Sequence, residues 1–360
     1  MQQGYKLGQA SVANFHGIAS NIELFAYMAY NYFMIKKDFS LTVFLCSACI
    51  FFTSCASIQK MGTNAVSDML SGYDKKGRFI EKKAGAPDPM EAVMNETDTV
   101  LIADFLPVTL KMYEILQAGN PEHQGLALMC GQLNVMYANA FVQSPADEIP
   151  VECYDLQKSE YDRAKMHYLK GSRYIFSVLD KKYPGFSENV FSTDESLIQK
   201  AVAQLKKSDV NALFWGIAGR LGAFSLDPLN AELVTSLQGC VAVLERAAEL
   251  DREYSDGAIW NLLFTFYVSA PADFCGNMER GLECYEIAQQ ISGGKQAGNY
   301  VAYAESYCIP QNDEKGFVEA LEKALAIDPD ADEKTKLMTV IYQKRARRLL
   351  ACKSDYFLEW

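Results

Sequence analysis

The sequence predicts an all-α fold in which helical hairpins stack side by side. From Met90 onward the apolar residues recur at helical spacing, and no segment shows a convincing β-strand alternation. One short pattern of small and bulky residues recurs along the chain and ends each time at a helix-stop signal. Hydrophobic residues make up 49 % of the 360 residues, so the chain can bury a substantial core.

The clearest copy of the recurring pattern is FVEALEKALAIDP, residues 317–329. A spacing of four places its bulky residues Phe317, Leu321 and Leu325 on one helical face. The small Ala324 beside them allows a neighbouring helix to approach closely, and the final proline cannot continue a helix. This is the signature of the second helix in a tetratricopeptide-type hairpin. One such hairpin cannot bury its own apolar face, so a stacked array (an α-solenoid) is predicted.

Weaker copies of the pattern precede this segment and end near residues 121, 184, 252 and 293. The last copies are separated by about one repeat of roughly 34 residues, and the earlier ones by about twice that length. Additional helices are therefore predicted between the early copies, at residues 124–143 and 209–226. A final helix over 334–352 is expected to cap the array. Its basic end, which includes Arg345, suits the negative end of the helix dipole.

The first 55 residues have the features of an export signal. Residues 39–52 form an apolar run that is short for a membrane span and suits the hydrophobic region of a signal peptide. Lys36 and Lys37 supply the positive charge before it. The following residues, Phe-Thr-Ser-Cys, resemble a bacterial lipobox, so we expect cleavage before Cys55 and acylation of its thiol. The alternative interpretation is a signal anchor with an incidental cysteine.

These signals divide the chain into four segments. Met34 is a normal start for the signal peptide, and the residues before it do not belong to its pattern. An amphipathic helix near residues 58–71 follows the lipid site, and then comes a charged loop broken by glycine and proline. The predicted segments are a non-native extension (1–33), a lipoprotein signal peptide (34–54), a lipid-anchored helix and loop (55–89) and the tetratricopeptide-like helical domain (90–357).

The charge and the motifs argue against nucleic-acid binding and against catalysis. A formal net charge of −11 gives no electrostatic footprint for nucleic acid or anionic lipid. His123 and His167 are the only histidines after the signal, and neither has a second histidine at metal-ligand spacing. We therefore expect no catalytic residues, no metal and no cofactor. The glycines at 216, 219 and 222 lack the strand and the Lys-Ser/Thr of a phosphate loop, so close helix packing is the expectation.

Seven cysteines follow Cys55, an odd number that cannot pair completely. Most occupy apolar helical positions, where a cysteine behaves as a small buried hydrophobe. A bridge between Cys275 and Cys284 is left open. The aromatic residues also allow two interpretations. They form either an aromatic helical core or the wall of a shared apolar cavity that holds a ligand on the concave side of the array.

Several segments together resemble a known family, over about residues 55–357. These segments are YANAFVQ (137–143), YPGF (183–186), LFWGIAGRLGAFSL (213–226), DGA (256–258), SGGKQAGNYVAYAES (292–306), ALAIDPDAD (324–332) and QKRARRLLA (343–351). In this order they resemble the T component associated with tripartite ATP-independent periplasmic (TRAP) transporters, a family of tetratricopeptide lipoproteins.

The resemblance implies an all-helical lipoprotein in the bacterial periplasm that assembles as a homotrimer and is not an enzyme. It implies binding to the extracytoplasmic solute-binding protein of a TRAP system. It also implies an apolar pore through each subunit for a small apolar or amphipathic solute. For the wall of that pore we select Tyr137, Phe141, Trp215, Tyr300 and Tyr303, with Glu305 as a polar group in or near it. The alternative is a general lipoprotein scaffold for envelope proteins that carries no ligand.

The predicted processing can be checked by mass spectrometry of the protein made in a bacterial host. We expect a precursor that begins at Met34 and a mature form that begins at an acylated Cys55. Peptides from residues 1–33 would contradict the predicted start. A mature protein without lipid on Cys55 would contradict the anchoring.

Overall fold

The computed structural model describes the backbone of residues 56–80 and 91–357. The predicted extension (1–33), the signal peptide (34–54), the lipid site Cys55 and residues 81–90 of the predicted loop lie outside the described residues. The chain divides into two compact units, residues 1–63 and 64–360, and the contacts given below lie within the second. In the described residues the fold is all-α, and its one isolated bridge joins Tyr73 and Phe79.

Twelve helices carry the architecture of the described part of the chain. They are α1 Ala56–Ser71, α2 Thr99–Gly119, α3 Gln124–Ala138, α4 Tyr154–Lys182, α5 Glu195–Ala203, α6 Val210–Leu226, α7 Leu237–Leu250, α8 Ala258–Ser269, α9 Met278–Ser292, α10 Ala297–Tyr303, α11 Glu314–Leu325 and α12 Lys336–Ala351. Two π-helical segments, Asn139–Gln143 and Ala304–Cys308, continue α3 and α10.

Helices that are close in sequence pack against one another around two hydrophobic clusters. The larger cluster is built mainly from α3, α4 and α6 to α9, and Leu213 and Phe264 lie fully buried in it. The smaller cluster joins α10, α11 and α12 around Phe317 and Leu321. The main helix pairs are α3 with α4, α4 with α6, α8 with α9, α2 with α3, α6 with α7, and α11 with both α10 and α12. The assignment of these pairs to tetratricopeptide repeats stays a prediction.

The predicted helices agree well with the observed ones. Residues 124–143 are helical throughout, and 209–226 and 334–352 match α6 and α12 within two residues. Phe317, Leu321 and Ala324 are fully buried on one face of α11, as their spacing predicts, and Leu325 is partly buried. The helix ends at Leu325, earlier than the proline signal suggests. Asp328 instead caps a separate 3-10 turn that begins at Pro329.

One helical run among the described residues, Gln124–Ala146, is long and apolar enough to cross a membrane by composition alone. It comprises α3 and its π-helical continuation, and 67 % of its apolar window is buried inside the protein. Because the partners that bury it are other helices of the same chain, this run is a core helix.

The three-glycine pattern in α6 serves helix packing. A Cβ atom at Gly219 would lie 2.8 Å from the carbonyl oxygen of Tyr168 in α4, and one at Gly222 would lie 2.6 Å from the Tyr168 ring. A Cβ atom at Gly216 would lie 3.0 Å from Ile175. The backbones of α4 and α6 therefore approach closely because these positions carry no side chain, and the packing interpretation is confirmed.

This close approach predicts a position-dependent cost for adding a methyl group. Gly219→Ala should lower the free energy of unfolding by about 1–3 kcal/mol, because α4 and α6 must separate to accept it. Gly119→Ala is the matched control, since a Cβ at this helical position meets nothing within 4 Å. We expect the control to be neutral or to stabilise by up to about 1 kcal/mol. Urea unfolding of both variants measures the difference, and equal effects would contradict the packing role.

Candidate functional site

Residues in and just after the two π-helical segments bond the same arginine. Asp147 lies just beyond the first segment, Glu305 lies within the second, and both bond Arg345 of α12. π-helical turns are rare and occur frequently at functional sites. The first segment falls within the motif YANAFVQ, and the second overlaps the end of SGGKQAGNYVAYAES; both motifs carry the family resemblance. We therefore take the surroundings of Arg345 as the candidate site.

The ion cluster has a defined geometry. Arg345 donates from Nε to Glu305 Oε1 at 2.9 Å, and its Nη2 lies 2.8 Å from the same oxygen. The Nη2 atom also donates to Asp147 Oδ2 at 3.3 Å, across 198 residues of sequence. Tyr161 donates its hydroxyl hydrogen to Asp147 Oδ1 at 3.0 Å. One guanidinium thus joins the end of the α3 run, the end of the α10 run and α12.

The cluster is enclosed, yet water reaches it. The side chains of Glu305, Arg345 and Asp147 expose 23 %, 20 % and 22 % of their surface. Protein nevertheless surrounds all three on most sides, and burial is the largest influence on the pKa of each. Protein therefore encloses most, but not all, of each of these three side chains.

Burial and charge act in opposite directions on the groups of this cluster. Burial raises the pKa values of Glu305 and Asp147, and the nearby Arg345 guanidinium only partly offsets that rise. Burial by itself would lower the pKa of Arg345, but the two carboxylates outweigh it and raise the pKa. The arginine therefore stays charged, whereas the two carboxyls hold a proton more readily than free ones do.

Three polar groups at the cluster have no hydrogen-bond partner among the described residues. They are Arg345 Nη1, Glu305 Oε2 and the hydroxyl of Tyr342, and none is among the atoms sealed from solvent. Protein surrounds Tyr342, and burial raises its pKa. Its ring lies against Gly298, where a Cβ atom would come within 2.7 Å of it. The cluster thus has two donors and one acceptor that a polar ligand group or water can satisfy.

Tyr137 and Phe141, which the sequence analysis predicts for a pore wall, lie near the carboxyl end of α3. Tyr137 is buried, and its hydroxyl accepts a hydrogen bond from Arg163. Its ring packs edge-on against His167 with 5.1 Å between centroids. Phe141 is partly buried against the larger hydrophobic cluster.

The other selected aromatics fall into separate groups. Tyr303 stacks on Tyr285 and Tyr307 at centroid distances of 4.6 Å and 5.0 Å, and it touches both hydrophobic clusters. Tyr300 packs against the smaller cluster, one helical turn away along α10. Trp215 lies 5.3 Å from the Phe214 ring in α6. The structure thus brings Tyr300, Tyr303 and Glu305 together on one helical run, and a single cavity that includes Tyr137 and Trp215 stays a prediction.

The sequence predicts Glu305 as a polar group of the site but not the other members of the cluster, Arg345, Asp147 and Tyr342. Arg345 was expected to complement the helix dipole at a basic end, whereas it turns inward. Its position three residues after Tyr342 and four before the buried Leu349 was a usable signal, because that spacing places it on the inner face of α12. The pairing with Asp147 has no local signal, since it depends on how distant helices pack.

Other candidate groups have structural partners. His123 Nε2 lies 2.8 Å from Asp68 while its Nδ1 caps α3, and His167 bonds Asn134. All seven cysteines among the described residues are free, so Cys275 and Cys284 form no bridge. Four of the seven are fully buried, at positions 130, 240, 284 and 308. Within residues 56–80 and 91–357 no group of three metal-ligating side chains could hold an ion.

A model of a known family, the TRAP transporter T-component, matches residues 95–357. The chain belongs to the TRAP transporter T-component family. This confirms the resemblance that the motifs indicated, and the match contains both π-helical segments and Arg345. The T-component chain is also similar to an uncharacterized protein of Treponema pallidum (strain Nichols). The two are 38 % identical over 316 residues, which cover 86 % of this chain and 97 % of that protein.

Removing Arg345 from the ion cluster of this T component should lower the stability of the fold in a pH-dependent way. Arg345→Met should lower the free energy of unfolding by about 2 kcal/mol at pH 7. This loss is smaller than the loss from breaking a fully buried ion pair, because water reaches the cluster. The loss should shrink toward pH 4.5. Without the guanidinium, the pKa values of Glu305 and Asp147 in the folded state rise further. A group whose pKa is raised in the folded state stabilises the protein at low pH, and this stabilisation is lost as the pH rises. Relative to the wild type, the variant therefore loses more stability at pH 7 than it does at pH 4.5.

The control for this prediction is Arg280→Met. Arg280 pairs with Glu245 and Glu283 at 2.9 Å in a more open position, so its loss should cost less than about 1 kcal/mol. Denaturant unfolding of both variants at pH 4.5 and pH 7 gives the comparison. Equal losses at pH 7, or a loss at Arg345 that does not change with pH, would show that the enclosed cluster does not bind the helices together.

Proposed function

We propose that this protein is a lipid-anchored periplasmic accessory of a TRAP-type solute uptake system and binds the cognate extracytoplasmic solute-binding protein. The family match over residues 95–357 carries this proposal, because it covers nearly all of the described helical domain. The protein acts as a transport component, and no chemistry is assigned to it. The tetratricopeptide-like stacking of its helices offers a concave face on which a protein partner can dock.

The lipid anchor and the oligomer complete the proposal. An acylated Cys55 would hold the domain at a membrane surface, since each buried methylene contributes about 0.8 kcal/mol and several acyl chains make the attachment stable. The helical domain then lies where a periplasmic binding protein arrives with its solute. We further propose a homotrimer, as the family resemblance implies.

A ligand-relay role is the finer part of the proposal. The solute is a small organic molecule with an apolar body, which the aromatic side chains at Tyr137, Phe141, Trp215, Tyr300 and Tyr303 accommodate along an apolar pore. The ion cluster supports this role, because Arg345, Glu305 and Tyr342 have polar atoms without a hydrogen-bond partner among the described residues. A polar group on the solute would bind these atoms and fix its orientation.

One observation favours a second candidate, a protein-binding scaffold without a ligand. Arg345 bonds both Glu305 and Asp147 within the protein, so the cluster can serve as a structural clamp by itself. In that case the lipoprotein organises envelope proteins, and no organic molecule binds at the cluster.

The partner is tested by affinity capture of the full-length tagged chain from membranes of its own bacterium. We expect a TRAP solute-binding protein in the eluate, identified by mass spectrometry. A Cys55→Ser variant controls for membrane placement, and its recovery from the membrane fraction should fall sharply. Capture that recovers no solute-binding protein would contradict the proposed partner.

Native mass spectrometry of the purified chain separates relay from scaffold. If the protein relays a solute, the purified chain should retain a small organic molecule. In Tyr342→Phe the occupancy of this molecule should fall about three- to tenfold, because one hydrogen bond is lost. The matched control is Tyr154→Phe, whose side chain is exposed at the start of α4. A chain that binds its protein partner but retains no organic molecule would favour the scaffold.

A further inference from the structure

A short hairpin over residues 72–80 follows α1 and rests against the helical domain. An isolated bridge pairs Tyr73 with Phe79 across the hairpin. Gly77 lies in its turn with a φ of +75°, a backbone conformation that favours glycine. A Cβ atom there would lie 3.2 Å from Leu128 of α3, so the turn itself contacts the domain. We call this segment the 72–80 hairpin.

One side of the hairpin is fixed to the core by hydrogen bonds that span long stretches of sequence. Tyr73 is buried, and its hydroxyl accepts from Asn211 Nδ2 at 2.7 Å and from Gln132 Nε2 at 3.1 Å. The Gln124 amide donates to the Lys75 carbonyl oxygen at 3.0 Å. These bonds reach α3 and α6, so the hairpin has a defined orientation on the domain.

The other side of the hairpin is both apolar and basic. Phe79 exposes 66 % of its surface, and Ile80 is exposed next to it. Lys76 and Arg78 are exposed on the same short segment. Apolar side chains that stand in water among lysine and arginine are typical of surfaces that bind at a membrane interface.

The carboxyl end of α1 lies beside the hairpin and adds to this surface. The Ile80 amide donates to the carbonyl oxygen of Gly72, the residue that directly follows α1, at 2.9 Å. Met69 and Leu70 in the last turn of α1 are both exposed, Met69 by 69 %. We call the exposed side chains of the hairpin and of this last turn the hairpin surface.

The hairpin is a basic segment in an acidic chain. Residues 73–83 contain five basic and two acidic residues, a net charge of +3, whereas the whole chain carries −11. Asp74 pairs with Arg78, but Lys75 and Lys76 have no ion-pair partner among the described residues. Charges act over a Debye length of about 8–10 Å, so the local charge decides what this surface attracts. Anionic lipid headgroups complement it.

The position of the hairpin in the chain favours a lipid bilayer over a protein as the occupant. Helix α1 begins at Ala56, directly after the proposed lipid site Cys55. A helix rises about 1.5 Å per residue, so the end of α1 lies about 25 Å along the chain from the acylated thiol. A solute-binding protein can dock on any face of the domain, whereas the bilayer is always within this reach of the hairpin surface.

We propose that the 72–80 hairpin is a second membrane contact of this protein. The side chains of Phe79 and Ile80 enter the headgroup region of the bilayer, and the basic side chains around them bind the phosphates of anionic phospholipid. This inference rests on the proposed lipid anchor at Cys55. A lipid attached to one residue leaves the domain free to rotate, whereas a second contact that is fixed to α3 and α6 holds one face of the domain toward the membrane.

Fluorescence quenching by brominated phospholipid tests this contact. The full chain is processed in a bacterial host and reconstituted into vesicles that contain phosphatidylglycerol and brominated phosphatidylcholine. Phe79→Trp places a fluorophore at the proposed contact, and subtraction of the wild-type signal removes the native tryptophans. We expect its quenching to be at least about threefold that of Leu229→Trp, because only the hairpin enters the headgroup region.

Leu229→Trp is the matched control because it is equally open to solvent but lies elsewhere on the domain. Leu229 is 90 % exposed and follows the carboxyl end of α6, whereas the hairpin bonds Asn211 at the amino end of that helix. The two ends of α6 are about 25 Å apart.

Reversal of the hairpin charge tests the role of anionic lipid. Lys75→Glu with Lys76→Glu, made in the Phe79→Trp chain, should lower the quenching at least about twofold, because the basic side chains no longer bind lipid phosphate. Lys200→Glu with Lys323→Glu changes the net charge by the same amount at two exposed lysines outside the hairpin and should leave the quenching unchanged. Equal effects of the two pairs would overturn the specific lipid contact.

The outcomes separate this inference from the rest of the proposed function. An acylated chain that floats with the vesicles, but whose residue 79 is quenched no more than residue 229, would overturn the hairpin contact and leave the anchor. A chain that carries no lipid and does not float would overturn both. Shielding of residue 79 only after addition of the solute-binding protein would make the hairpin a protein-docking surface and overturn the membrane contact. Capture of the solute-binding protein tests the transport role independently.

Discussion

The folded state of the candidate site depends on one partly buried guanidinium. Arg345 holds Glu305 and Asp147 at once and so ties α12 to the ends of two other helical runs. A charge so deeply surrounded is tolerable only when counter-charges and hydrogen bonds compensate for its lost hydration. The two carboxylates must therefore stay in place whenever α12 is docked. This mutual requirement fixes the relative position of the α10–α12 cluster and the larger cluster.

Close helix packing and irregular helical turns complement each other around this interaction. Glycines in α3, α4 and α6 let the helix backbones approach so closely that an added methyl group would overlap with the neighbouring helix. The π-helical turns at Asn139–Gln143 and Ala304–Cys308 widen the helix locally and redirect the side chains that follow.

Much of the fold could be predicted from local pattern. Residues 317–325 form a helix with Phe317 and Leu321 buried, and Gly293 ends α9 in a left-handed conformation, both as their sequence signals indicate. Such features depend on neighbours within one or two helical turns, which spacing reveals. The site was only partly predictable. Glu305 was selected, but Arg345 looked like one member of a basic helix end, and nothing near Asp147 indicated a partner 198 residues away.

The sequence by itself determined the all-α class, the approximate ends of most helices and membership of the TRAP transporter T-component family. Periodicity, stop signals and short motifs encode these properties locally, so no long-range contact is needed to recognise them. Only the tertiary structure decided which charges pair inside the fold, which aromatic side chains stack and how the 72–80 hairpin is fixed to the core. Those properties arise when helices far apart in sequence pack together, and the energy of a buried charge depends on that packing.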